Sequence, residues 1–127
     1  MTAFALSPLN LSVTHHHGYA LLALSGDLDA ATAPQLGTTV EQLVATAPDR
    51  IVLDAGHLRY ATPHGIDALV TAGQAAAAAD VVLALADLQP LVWTALRSAD
   101  DAGHLAVFGS VSAAAVNDLS QMYTEWL

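Results

Sequence analysis

Apolar residues recur along this chain in two alternating rhythms. Leu9, Leu11 and Val13 alternate with Asn10, Ser12 and Thr14, the period-two pattern of a half-buried strand. Tyr19 to Ser25 is a second strand signal, and His15-His16-His17-Gly18 between them supplies a glycine-containing turn, so the chain opens on a predicted hairpin. After Gly26 the rhythm changes. Leu36, Val40, Leu43 and Val44 recur at helical spacing, with Thr32 placed as N-cap and Pro34 in the first turn. Pro48-Asp49 closes that helix, and Ile51-Val52-Leu53, between Arg50 and Asp54, is a continuous apolar run of the kind expected of a central strand covered on both faces.

The alternation repeats downstream. Thr62 can cap a second helix, Pro63 fits its first position, and Ile66, Leu69, Val70 and Gly73 form its inward stripe. Val81 to Leu85 reads as a strand, Leu88 to Ser98 as a short helix with Leu91, Val92, Ala95 and Leu96 on one side, and Leu105 to Phe108 as a last, edge-like strand. Ser110 or Ser112 starts a final helix, extending to about residue 126, whose Ala115, Leu119, Met122 and Trp126 share one face. This order predicts an α/β fold: a mixed β-sheet with an N-terminal antiparallel hairpin, followed by alternating helices and strands on parallel connections. A single domain over residues 1–127, with its core at about 9–116, accommodates every element.

Composition narrows the function. Twelve acidic residues stand against Arg50, Arg59 and Arg97, there is no lysine, and the formal net charge is -9. Nucleic-acid binding requires clustered cations on phosphates, so it is excluded; anionic membranes repel such a chain too. A partner with a basic face is the natural complement. With no cysteine, disulfides and thiolate chemistry drop out. The start of the chain lacks the basic residues and apolar run of a signal peptide. The most apolar region, Ala75 to Leu88, is interrupted by Asp80 and Asp87, too early for membrane insertion. A cytoplasmic location is expected.

Little in the chain points to catalysis. Ser98 and Ser110 lack a nucleophile elbow, and neither a glycine-rich phosphate loop nor a zinc-peptidase spacing occurs, so no catalytic residue, metal or cofactor is expected. His15, His16 and His17 are consecutive and point in different directions on a strand or turn, which favours a solvated turn over a metal site. Trp93, Tyr123 and Trp126 fit core or subunit contacts. Asp27, Asp29 and Asp54 fall at predicted strand ends, where aspartate commonly caps the following turn through backbone N–H groups. A phosphate-accepting receiver site at Asp54 would need a late lysine, and none exists.

Three segments carry a resemblance: Gly26-Asp-Leu-Asp-Ala-Ala-Thr-Ala-Pro-Gln-Leu36, Ile51-Val-Leu-Asp54 and Tyr60-Ala-Thr-Pro-His-Gly-Ile66. With the element order, they make the chain similar to the STAS domain of bacterial anti-sigma factor antagonists, from about Leu9 to about Val116. The resemblance implies a non-enzymatic protein that binds an anti-sigma factor, a serine kinase of the histidine-kinase ATPase type, through Asp27, Asp29 and Thr32 on one loop and Thr62, Pro63, His64, Gly65 and Ile66 at the second helix start. In such proteins the kinase phosphorylates the hydroxyl residue before the glycine, and the added charge of about -1.5 to -2 ends the complex. Here His64 holds that position, Thr62 stands where an aspartate is usual and Pro63 where a serine is. The usual phosphoserine switch is therefore not expected, and Thr62 is the nearest displaced acceptor. Two other roles are compatible with the same residues: a scaffold or subunit of a transport or signalling assembly, and a small-ligand sensor using a crevice near Asp29 and Asp54. The partner's identity and a homodimer are left open.

Overall fold

A computed structural model describes residues 9–99, 105–116 and 122. In chain order it contains β1 (Asn10–His16), β2 (Tyr19–Leu28), α1 (Ala33–Ala45), β3 (Arg50–Ala61), α2 (Pro63–Ala78), β4 (Val82–Ala86), α3 (Pro90–Arg97), β5 (Ala106–Phe108) and α4 (Val111–Ala115). The strands form one sheet in the order β1-β2-β3-β4-β5. Only β1 and β2 pair antiparallel; β2, β3, β4 and β5 are parallel neighbours. The predicted α/β architecture and its hairpin are thus present, with β5 at the sheet edge as expected. The hairpin turn is tighter than predicted. His15 and His16 belong to β1, and His16 pairs with Tyr19 across His17 and Gly18, where Gly18 adopts φ +88, a conformation glycine reaches without strain.

Alternation along the strands sorts the core into two layers. Ile51 and Leu53 on β3 and Leu83 and Leu85 on β4 join Leu36, Val40 and Leu43 of α1, Ile66 and Leu69 of α2, and Val92 and Leu96 of α3 on one face. Val52, Ala84 and Ala86 point to the opposite face, where Phe108 and the α4 residues Ala113 and Ala114 cover them. Three helices therefore line one side of the sheet and α4 the other, which is why β3 and β4 read as continuous apolar runs.

Several sequence expectations need correction. Asp54 does not end its strand: β3 continues to Ala61, and pairing with β4 stops at Asp54 while pairing with β2 goes on. Two register shifts, between Ala23 and Ser25 and between Gly26 and Asp27 on the β2 side, put the surplus residues on β3. Its buried positions then become Ala55, Leu58 and Ala61, three apart instead of two, so the second half loses the strand signature. On α3, Leu91 is 71% exposed and only Val92 and Leu96 are buried, because a helix of eight residues offers the sheet one i, i+4 stripe. The final helix is short. Ser110 caps it by accepting from the Ala113 N–H at 3.2 Å, it ends at Ala115, and Met122 instead forms an antiparallel bridge with Phe108. Val116, the C-cap of this helix, is exposed; Leu119, Tyr123 and Trp126 lie outside the described residues.

The bulged half of β3 makes a direct forecast. Leu58→Ala should destabilise the fold by about 2–5 kcal/mol, as for other buried leucines, whereas His57→Ala, at an exposed neighbouring position, should stay within about 0.5 kcal/mol. Urea unfolding of the two variants measures both; equal effects would contradict the register.

Candidate functional site

Parallel neighbours deliver their carboxyl ends to the same sheet edge. Leu28 at the end of β2 lies beside Ala61 at the end of β3, so the β2–α1 loop and the start of α2 are adjacent although more than thirty residues separate them. A backbone hydrogen bond joins them: the Thr62 N–H donates to the Leu28 carbonyl at 3.0 Å. The same carbonyl limits the residue at 65, since a Cβ there would lie 2.2 Å from it. Gly65 therefore allows the first turn of α2 to press against the end of β2.

Thr62 is an extended N-cap residue whose hydroxyl accepts from the Gly65 N–H at 3.2 Å, and Pro63 opens the helix. Both choices suit the helix start, because the cap satisfies an orphan donor and proline has none to leave unsatisfied. Thr62 is half-buried; Pro63 and His64 are exposed. Gly65 and Ile66 are buried, so they set the position of the tip without presenting side chains on it.

The β2–α1 loop is braced from within. The Asp29 carboxylate oxygen Oδ1 accepts from the backbone N–H groups of Ala31 and Thr32, each at 3.0 Å. Thr32 stands at the cap position of α1, but its hydroxyl makes no cap bond, which corrects the sequence expectation. It accepts from the Asp29 N–H and donates back to the Asp27 carbonyl, both at 3.0 Å. The reason is local: the residue is in a helical conformation at φ -101, ψ -15, unlike the extended backbone that aims a cap side chain at the next turn. The Asp27 carboxylate receives the Arg59 guanidinium at 3.4 Å, an exposed pairing that contributes little to stability.

Asp54 lies elsewhere. Its carboxylate accepts from the Gly56 N–H at 3.0 Å, and Gln89 donates from its side-chain amide to the Gly56 carbonyl. A Cβ on Gly56 would meet Asp87 Oδ2 at 2.7 Å, so this cluster clamps the bulge. Asp54 pairs with Ala23 and Ala61 with Leu28, so the two β3 positions are five regular β2 steps apart, roughly 16 Å at the usual strand rise; Asp29 and Asp54 do not share a crevice. Among the described residues, no group of three or more His, Asp or Glu side chains is arranged to hold a metal. His16 stacks on Tyr19 with ring centroids 4.7 Å apart and approaches the Thr14 hydroxyl at 2.9 Å.

The sequence reading missed a groove between α1 and α2, about 370 Å³ in volume, that begins at His64 and Ala30 and runs past Pro34 and Gly37 to Ala75. Its signal was present as small residues beside the inward stripes: Ala33 and Gly37 on α1, Ala68 and Ala72 on α2. A second cleft on the far side of the tip, lined by Pro63, Asp67, Ala95 and Ser98, separates α2 from α3.

Comparison with known proteins gives a consistent picture. The family model described as Mlab, STAS domain, matches residues 11–100. No curated protein sequence matches the chain. An anti-sigma factor antagonist from Mycobacterium paratuberculosis superposes with a TM-score of 0.75 at 17% identity, covering 88% of this chain and 94% of that one. RsbS from Moorella thermoacetica gives 0.68 at 15% identity over 87% and 94%. A sulfate transporter family protein from Wolinella succinogenes gives 0.69 at 16% identity over 82% and 87%. At these identities the likeness establishes the fold.

Two substitutions test the tip. Gly65→Ala forces backbone apart at the Leu28 carbonyl and should cost about 2–4 kcal/mol, whereas Thr62→Ala removes one cap bond and should cost about 1 kcal/mol. Thermal and chemical unfolding would contradict the assigned contact if Gly65→Ala proved neutral.

Proposed function

The chain belongs to the STAS-domain family, and from that premise we propose that it is a non-enzymatic, protein-binding regulatory domain of the anti-sigma factor antagonist type, acting in the cytoplasm. Its partner is an anti-sigma factor with serine kinase activity. The docking surface is the α2 tip, where Thr62, Pro63, His64, Gly65 and Ile66 meet the loop carrying Asp27, Asp29 and Thr32. One observation carries the proposal: Pro63 and His64 are the exposed residues of a tip whose other members are turned inward to hold it rigid. A preorganised surface loses little conformational freedom on binding.

The regulation differs from a phosphoserine switch. An imidazole at 64 offers no hydroxyl for a serine kinase, and the Thr62 oxygen is engaged with the Gly65 N–H. The complex accordingly persists in the presence of ATP. The likeness to a sulfate transporter family protein favours a second reading in which the same tip docks the domain into a transport assembly. No helix among the described residues is long and apolar enough to cross a membrane, so in that reading the domain attaches to a separate membrane component.

The test is direct. Incubated with an anti-sigma kinase from its own genome and ATP, the wild-type protein should bind and remain unmodified by mass spectrometry, whereas His64→Ser should acquire one phosphate. His64→Glu, which places a charge on the tip, should weaken binding at least tenfold. Phosphate on Thr62 would refute the missing switch, and failure to bind any such kinase would move the protein to the transport reading.

A further inference from the structure

The groove between α1 and α2 has a chemistry of its own. Its floor is apolar, formed around Gly37, Ala68 and Ala72, while Glu41 and Asp67 lie along it and His64 closes one end. Glu41 and Asp67 are both exposed. On α2 the lining extends from His64 to Ala75, about 16 Å at the helical rise, or three turns. That length suits a helix laid into a groove with anchors at i, i+4 and i+7.

Gly37 sharpens the inference. It sits inside α1, where glycine is the poorest helix former after proline. Its φ is not positive, and a Cβ built on it meets nothing within 4 Å. Neither a turn nor internal packing accounts for the missing side chain, and its consequence is an open groove floor. Close approach by another molecule is the remaining structural use of glycine.

Charge selects the occupant. A second copy would bring Glu41 and Asp67 against the same carboxylates in a chain of net charge -9, and an anionic membrane is repelled in the same way. None of the three arginines lines the groove. We propose that this groove docks a basic amphipathic helix of a partner protein, seating large apolar side chains over Gly37 while flanking lysines or arginines meet Glu41 and Asp67. The inference rests on the domain being a protein-binding one; it adds the chemistry of the bound segment and does not depend on which protein supplies it.

A phage-displayed library of 18-residue helical peptides, panned on the full-length protein and counter-selected on Gly37→Leu, tests it. The leucine points into open space, so the variant should melt no lower than wild type; Glu41→Lys with Asp67→Lys, both at exposed positions, gives an independent arm. Enriched peptides should be basic, with apolar residues at i, i+4 and i+7. Their Kd should rise at least tenfold with either variant and also with added salt. The proposal is overturned if no peptide prefers wild type, if the enriched sequences are acidic or lack the apolar anchors, or if sedimentation shows a wild-type dimer that Gly37→Leu dissociates. If an anti-sigma kinase still binds the α2 tip while no peptide discriminates, only the groove proposal falls. Discriminating basic peptides without kinase binding would remove the anti-sigma reading alone.

Discussion

The contact between the Leu28 carbonyl and the first turn of α2 is the constraint on which the rest of the surface depends. That oxygen accepts the Thr62 N–H and lies where a side chain on Gly65 would have to be. Together these fix the distance between two segments remote in sequence. Only glycine permits the approach, and only a residue with a side-chain acceptor at 62 satisfies the donor of Gly65 in the same turn. The tip therefore takes its shape from backbone geometry, and the side chains that follow are positioned by it.

The two threonines near this contact do opposite things for the same reason. Thr62 is extended, so its hydroxyl reaches forward to cap α2. Thr32 is helical, so its hydroxyl turns back to Asp27 and Asp29 and ties the loop. Asp29 completes the brace through two backbone donors. A carboxylate committed to such bonds is a structural element of the loop. Rigid neighbours on both sides leave Pro63 and His64 as the presented groups.

Most of the fold was legible in the sequence because burial on one or two faces leaves a regular period. The α1 stripe of Leu36, Val40 and Leu43 and the α2 stripe of Ile66, Leu69 and Val70 lie where spacing alone put them. The second half of β3 was not legible, since its bulges turn a period of two into Ala55, Leu58 and Ala61, a spacing that a strand template rejects. Leu91 misled for the opposite reason: apolar identity suggested burial, but its azimuth on a short helix points to solvent. At the candidate site, cap chemistry identified Thr62 and Pro63 at a helix start, while His64, Gly65 and Ile66 were marked as surface only by the family resemblance. Their division into buried supports and exposed contacts depended on the approach of two segments that no local pattern records. The groove was harder still, because it is defined by side chains that are small, and small residues also fit any well-packed helix interface.

His64 belongs to both surfaces, ending the groove and standing on the tip. The two are therefore one continuous face, and a change at this residue acts on each. A phosphate here would add a third concentration of negative charge beside Asp67 and Glu41, and its hydration would bias the face against any partner that has to pack flush on the tip and desolvate it. An imidazole adds a planar ring that can stack or donate without that bias. In the proposed groove complex, histidine at 64 leaves selectivity along this face to the fixed carboxylates of Glu41 and Asp67. Under the proposed binding role, such a domain discriminates partners by constitutive charge and shape, and regulation of the complex falls to the partner's own state.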